Sequence, residues 1–373
     1  MKILHVGKYY HPENGGIESV VYECVEGLKS KSQYIDVICT TNSKKSSDTP
    51  DTSTSNIFRC RGFGTLFRNS LSPRYLIKLR HIVHKYDVIS IHLPNVLPLL
   101  AFTGLINLPP LILHWHADVS NYGLAYRPYS ILERLLLDKC FAIVVATDAH
   151  FSTAPILQKY KSKIKVIPYG ISTGALDRSK NAKVQVLQQS SGKKIVFSLG
   201  RFVAYKGFDV LIRAASKLPD DYLIIIGGDG PQKQFLDGLV VELGLSAKVK
   251  LVGRIPDKEL GAYYQACKVF CLPSVTQAEA FGVVLIEAMS FGKPVVATRL
   301  GNGVEWVAGH GVTGITVPIG DPSAIAEAIV FIVGDSDRYE NYSSNAKTRF
   351  TKEFTSVIMI NRLLQLYRDA TNA

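Results

Sequence analysis

The chain runs to 373 residues, 47 % of them apolar and 20 % charged. That length accommodates two domains with cores of their own, and the balance excludes a disordered tail, a collagen-like fibre and a disulfide scaffold. Lysine and arginine outnumber the acids 43 to 31, a net charge of +12, and residues 1–170 carry +8 of it.

Met1–Lys8 opens the chain as a strand with no secretory signal ahead of it. Apolar runs then alternate with helical patterns, and Ile3–Val6, Val37–Thr40, Ile57–Cys60, Val88–His92, Leu111–Trp115, Ala142–Ala146 and Ile164–Ile167 are predicted strands of a first sheet. After the first of them, Ile17, Val20, Val21, Cys24, Val25 and Leu28 recur at the spacing of a helix with one buried face. The polar and proline residues of Asn42–Asn56 predict a mobile loop. The apolar stretch Val96–Leu113 is punctuated by Pro98, Gly104, Asn107, Pro109 and Pro110, so it reads as a short helix and a strand and not as a bilayer span. A polar linker, Lys180–Gly192, precedes a second series: Ile195–Leu199, Leu223–Ile226, Val249–Val252, Val269–Leu272, Val295–Thr298 and Ile315–Val317. Two such βαβ series predict two doubly wound α/β domains, residues 1–180 and 193–350, with ligands at the carboxyl ends of the strands. Cys24, Cys39, Cys60, Cys140, Cys267 and Cys271 form no C-x-x-C pair. They read as buried free thiols of a reducing compartment, hence a cytoplasmic protein.

Four strand-to-helix junctions carry candidate chemistry. Gly15-Gly16, ahead of the first helix, permits a tight turn whose amides meet a phosphate or sugar oxygen, although a glycine pair before a helix is often only a turn. His114 and His116 lie two apart at a strand end, so they point the same way. With no third ligand in sight a metal is not expected; His114 reads as a core histidine and His116, near Asp118, as a cleft residue. Gly200-Arg201 followed by Lys206-Gly207 puts a guanidinium fork and a point charge between a strand and a helix, a pairing that suits a diphosphate, against the plain alternative of two surface cations. Glu279 and Glu287 bracket Phe281-Gly282 and a helix start; Glu287 stands in an apolar run and needs a partner if buried. Asp335-Ser336-Asp337 has the D-x-D form of a metal site but stands far from these junctions, and Gly227-Gly228-Asp229-Gly230-Pro231 lacks the full dinucleotide fingerprint.

Taken in order with their spacings, these pieces, together with Gly301–Val307 and Gly311…Thr313-Gly314…Val317-Pro318, resemble the retaining GT-B glycosyltransferases of the large bacterial family that includes lipopolysaccharide and phosphatidylinositol mannosyltransferases. The resemblance covers essentially the whole chain, with Ala280 where glycine is common and Asn302 where threonine is common. It implies two Rossmann-like domains facing a cleft, the first for the acceptor and the second for the nucleotide sugar, with a terminal helix of 356–373 crossing back to the first. By position it implies that Arg201 and Lys206 clamp the diphosphate, that Glu287 binds ribose and Glu279 the donor sugar, and that Phe281, Gly282 and Val283 present backbone to the donor. Gly16 would approach the diphosphate or acceptor, and His116 the anomeric carbon and the sugar 6-hydroxyl. The implied activity is metal-independent, cofactor-free hexosyl transfer with retention. Gly301–Val307 with Glu305-Trp306 most resembles bacterial mannosyltransferases, which implies GDP-mannose as donor with a UDP-hexose as the alternative, and the implied acceptor is a lipid-linked saccharide of O-antigen or related polysaccharide.

Two other classes compete. A nucleotide-sugar epimerase needs a carboxylate pair around the sugar C2, whose second member is not evident. A nucleic-acid-binding protein needs a basic patch with interleaved aromatics, and residues 52–86 contain no acid, seven cations, and Phe58, Phe63, Phe67 and Tyr75; nucleic acid is nonetheless not the expected partner. Within Arg59–Lys85 a helix from Pro73 would align Tyr75, Leu76, Leu79, Ile82 and Val83 on one face beside Arg74, Lys78 and Arg80. That pattern suits either a helix lying on anionic lipid at the inner face of the membrane or one packed on the domain.

Overall fold

The computed structural model describes the chain except residues 14, 32, 44, 53–54, 67–68, 119–125, 175, 177–189 and 191, and of 65, 66, 69 and 126 the backbone alone. Most of the predicted linker 180–192 therefore lies outside the described residues. The chain divides into two compact units, Met1–Gly170 with Ser356–Ala373, and Ile171–Thr355.

In the first unit, strands β1 (Lys2–Val6), β2 (Tyr34–Thr41), β3 (Ser47–Thr52) and β4 (Ser55–Arg61) are followed by a two-strand ribbon, β5 (Thr65–Leu66) and β6 (Asn69–Ser70). Then come β7 (Val88–Leu93), β8 (Leu111–Trp115), β9 (Ala142–Val145) and β10 (Ile164–Val166). The large sheet runs β10-β9-β8-β7-β1-β2-β4-β3, parallel except that β3 pairs antiparallel with β4. The strand order turns round between β1 and β7, the switch point where doubly wound sheets open a crevice. One face is mainly apolar: Leu4, Val6, Ile89, Ile91, Leu113 and Trp115 share a core with Tyr75 and Leu79 of the helix Pro73–Ile82 and with Leu97 and Leu136 of the next two helices. The helix Ser356–Thr371 packs against Gly16–Lys29. At Gly27 a Cβ would stand 2.4 Å from Ile360 Cγ1, so glycine sets how closely these helices approach.

The second unit carries β11 (Lys194–Leu199), β12 (Tyr222–Gly227), β13 (Val249–Gly253), β14 (Val269–Leu272), β15 (Val295–Thr298) and β16 (Gly314–Val317) in the order β13-β12-β11-β14-β15-β16, all parallel. Its strands read as unbroken β-branched and aliphatic runs because helices cover both faces. Its own switch point lies between β11 and β14. All six cysteines are buried and free.

One expectation fails here and one open alternative is settled. Residues 42–56 are not a loop throughout, since 47–52 form an edge strand with Asp48 opposite Phe58 and Thr49 opposite Ile57. An outermost strand has little to bury, so polar side chains and Pro50 are compatible with backbone pairing. The stripe on Pro73–Ile82 is core and not a lipid-facing surface: Tyr75, Leu79, Ile82 and Val83 are 0, 0, 4 and 0 % exposed. Ser72 caps that helix by accepting from the Tyr75 amide, and Pro73 starts it. Arg74 and Lys78 both pair with Asp48, at 3.1 and 3.0 Å, so part of the expected cationic patch is neutralised within the unit. Among the described residues no helix is long and apolar enough to cross a membrane.

Candidate active site

At the carboxyl end of β11 the chain passes through Gly200 and Arg201 into a single 3-10 turn, Ala204–Lys206, closed by Gly207. Gly207 is left-handed (φ 64°), and a Cβ there would lie 2.1 Å from the Pro273 carbonyl oxygen. No other residue allows the two loops of the switch point to approach so closely. The contact brings the Lys206 ammonium onto the Glu279 carboxylate, both side chains about nine-tenths buried. Ser274 Oγ donates to the same carboxylate oxygen at 3.1 Å, and Asn302 Nδ2 donates to the Glu279 carbonyl at 2.7 Å. Three loops, after β11, β14 and β15, thus converge on Glu279. Arg201 stands exposed beside Phe202 and, among the described residues, pairs with no acid. The Gly227–Pro231 turn supports this edge: the Phe202 amide donates to the Asp229 carbonyl at 2.8 Å, and Gly228 and Gly230 lie where a Cβ would strike Gly200 and Phe202.

The helix Val283–Ser290 starts from left-handed Gly282, with Phe281 buried and Val283 half-buried at its mouth. Glu287, a turn further in, has the partner that its apolar neighbours demand: Tyr264 donates to its Oε2 at 2.5 Å. Burial pushes the Glu287 carboxyl up to about 7 against the pull of the Tyr264 hydroxyl and Lys206, with Asp257 adding to the rise.

In the first unit Gly16 begins the helix Gly16–Lys29. The pair does not form a strained turn: Gly15 is extended, and what it supplies is room, since a Cβ would meet Glu18 Oε2 at 2.2 Å. His116 follows β8, 4 % exposed, with both ring nitrogens engaged, Nδ1 with Tyr169 Oη at 2.6 Å and Nε2 with His92 Nδ1 at 2.8 Å. His114 Nε2 is bonded to Ser90 at 2.9 Å. Among the described residues no group of three or more histidine, cysteine or acidic side chains is arranged to hold a metal.

Two family models divide the chain between them, glycosyltransferase family 4 over residues 14–175 and glycosyl transferases group 1 over 179–349. O-antigen chain mannosyltransferase C of Escherichia coli is 27 % identical over 98 % of both chains, and D-rhamnosyltransferase WbpZ of Pseudomonas aeruginosa 28 % over 95 % of this chain and 93 % of that one. Phosphatidyl-myo-inositol mannosyltransferase of Mycobacterium leprae is 24 % identical over 100 and 98 %. Among solved structures, Anabaena HepE with UDP superposes at a TM-score of 0.79 (21 % identity, 99 and 100 % covered), and sucrose-phosphate synthase from Thermosynechococcus elongatus at 0.82 (21 %, 99 and 98 %). This chain belongs to the GT-B glycosyltransferases.

In this glycosyltransferase the structure joins Lys206 and Glu279 directly, sets Glu287 within the electrostatic reach of Lys206, and leaves Arg201 open. Ser274 and Tyr264 escaped the sequence reading, and Asn302 entered it only as a departure from the family pattern, because nothing local marks a serine, asparagine or tyrosine whose partner is 5 to 23 residues away. His5, His92 and Tyr169 escaped it too, although histidines alternating with apolar residues in β1, β7 and β8 were a visible departure from a doubly buried parallel sheet. Glu305 and Trp306 have local partners: Glu305 accepts from the Gly301 amide at 2.5 Å, and Trp306 meets Phe354 edge-on under Arg349. Asp335 of the D-x-D triplet caps the helix Ser336–Glu353, accepting from the Arg338 amide at 2.8 Å.

Proposed function

We propose that the protein transfers a hexose with retention of configuration, preferring mannose from GDP-mannose, to a lipid-linked saccharide of O-antigen or related polysaccharide. The observation that carries this reading is the Lys206–Glu279 pair at the switch point of the second unit, with Arg201 unpaired beside it. A donor diphosphate arriving there competes with Glu279 for the Lys206 ammonium. Once Lys206 and Arg201 face phosphate, an oxygen of Glu279 is released to accept hydroxyls of the hexose while Ser274 keeps the carboxylate oriented. The two cations then stabilise the departing nucleoside diphosphate as the sugar acquires oxocarbenium character, so the chain needs no resident metal or cofactor. Glu287 receives the ribose hydroxyls, the amides around Phe281, Gly282 and Val283 face the donor, and Gly16 and His116 serve the acceptor and sugar side from the first unit.

The mannosyl preference is supported by the two relatives named as mannosyltransferases. A UDP-hexose is the second reading, favoured by the fold-level likeness to HepE, whose structure with UDP-glucose is 22 % identical at a TM-score of 0.79. The lipid-linked acceptor places the protein at the cytoplasmic face of the membrane as a peripheral enzyme. The deciding experiment incubates the protein with GDP-mannose, UDP-glucose, UDP-galactose and UDP-N-acetylglucosamine in excess EDTA. Donor consumption and transfer with GDP-mannose are expected, with the product anomer read by proton NMR. Loss of turnover in EDTA restored by Mg²⁺ or Mn²⁺, or an inverted anomer, would overturn the mechanism.

A further inference from the structure

Three strands of the first unit contribute to one hydrogen-bonded line of histidines. His5 Nδ1 lies 3.0 Å from His92 Nε2, His92 Nδ1 lies 2.8 Å from His116 Nε2, and His116 Nδ1 lies 2.6 Å from Tyr169 Oη. Register makes this possible, because His5 is opposite Ser90 and His92 opposite His114, so side chains two apart on adjoining strands share a face. The rings stack, with centroids 5.3 and 5.1 Å apart and planes 26° and 7° from parallel. All three are buried, at 0, 1 and 4 % exposure.

A neutral imidazole has one N–H and one bare nitrogen, and each nitrogen–nitrogen contact holds a single proton. If His5 carries its proton on Nε2, its Nδ1 is bare and His92 must offer Nε2–H. That bares His92 Nδ1 and requires Nε2–H on His116 in turn. The opposite choice propagates equally, so the three rings share one tautomer. The open end of the line decides which. At 2.6 Å the Tyr169 contact falls in the range of an O–H donor and below the roughly 2.7 Å at which N–H donors begin. Tyr169 therefore donates, His116 Nδ1 is bare, and the line runs as Nε2–H throughout. The unmatched N–H then falls at the closed end, His5 Nε2, a buried atom with no hydrogen-bond partner among the described residues.

The groups around the line keep it neutral. Burial lowers His5 and His114 to about 3 and takes His92 and His116 well below the usual histidine range, with His114 repelling charge on each of the others and His150 adding to this at His116. Tyr367 meets the His5 ring edge-on, and His114 stacks on His92 at 4.5 Å while bonded to Ser90.

We propose that Tyr169 is a positioning residue that sets the shared tautomer of His116, His92 and His5. It keeps the Nδ1 of His116 bare, a neutral acceptor that a hydroxyl of the bound sugar takes over. The catalytic part rests on the function proposed above; the shared tautomer does not.

The test uses the whole protein labelled with ¹⁵N-histidine, whose long-range proton–nitrogen spectra separate the two tautomers and the imidazolium. Expected are three Nε2–H patterns for His5, His92 and His116, unchanged between pH 8 and pH 5.5. Different tautomers within the trio, three Nδ1–H rings, or an imidazolium at pH 5.5 overturn the proposal. Tyr169→Phe removes the donor at the open end, and His5, His92 and His116 should then show mixed tautomers. In the transfer assay kcat should fall on the order of tenfold, the weight of one hydrogen bond, with donor KM within about twofold. His5→Phe, which leaves the open end intact, should keep His92 and His116 in the wild-type tautomer. Unaltered spectra and kcat in Tyr169→Phe refute the positioning role, and should that variant not fold, the wild-type spectra still decide the tautomer. Wild type with the expected spectra but no turnover of any nucleotide sugar refutes the proposed function and leaves the shared tautomer standing.

Discussion

Replacing Glu287 by glutamine separates what that carboxyl does for folding from what it does for the donor. The carboxyl titrates near 7 in the folded protein against an ordinary 4.5, with burial the main cause. A folded-state value above the unfolded one means that the native protein holds the proton through that window, so stability falls as pH rises from 4.5 to 7. At 1.36 kcal/mol per pH unit the full penalty above pH 7 is about 3 kcal/mol. Glutamine keeps an oxygen for Tyr264 and cannot ionise. Glu287→Gln should therefore melt close to wild type at pH 5 and above it at pH 8, by up to about 6–12 °C for a unit of this size. Donor binding should move the other way. A charged acceptor for ribose is worth about 1.5–3 kcal/mol per hydrogen bond, so affinity for the nucleoside diphosphate should weaken by roughly 10- to 150-fold. Calorimetric melting at the two pH values and titration with GDP and UDP read both effects. A variant no more stable than wild type at pH 8 refutes the buried, proton-holding carboxyl. Unchanged nucleotide affinity refutes the ribose role.

Three further outcomes follow from the geometry. Glu279→Ala should lower kcat more than it raises donor KM, because its sugar contact strengthens as charge develops while the ribose contact does not; steady-state kinetics showing the reverse partition against Glu287→Ala would exchange the two roles. Leu79→Ala, which empties a fully buried position, should cost about 2–5 kcal/mol in denaturant unfolding and leave pelleting with phosphatidylglycerol vesicles unchanged; a loss of pelleting at full stability would return that helix to the membrane. Gly207→Ala, at φ 64° and 2.1 Å from the Pro273 carbonyl, should lower the melting temperature and displace Lys206, so that donor binding fails along with stability; a variant with normal melting and normal nucleotide affinity would show that the loops do not need that approach.

Local periodicity and chain order carried much of this architecture. The β-branched runs of the second unit are strands whatever surrounds them, because an unbroken apolar segment of four to six residues between helical patterns has no other way to be buried on both faces. The order of Gly200-Arg201, Lys206 and Glu279 relative to those strands was enough to place each after a carboxyl end, where parallel sheets expose backbone and bind ligands, and Glu287 on the helix that follows.

What periodicity does not contain is the identity of the neighbour. The stripe of Tyr75, Leu79 and Ile82 has the same spacing whether lipid or protein covers it, and only the packed unit shows that the sheet does. Strand 47–52 has no apolar alternation at all; its pairing partner, β4, makes it a strand. Lys206 and Glu279 lie 73 residues apart, and their ion pair exists because β11 and β14 are neighbours across a switch point. His5 and His92 are 87 apart and meet because β1 and β7 adjoin in a register that turns both to one face. Strand order and register are settled by the free energy of closing the whole sheet, to which every strand contributes. A sequence therefore states which groups will stand at strand ends, and the tertiary fold decides which of them share a proton or a charge.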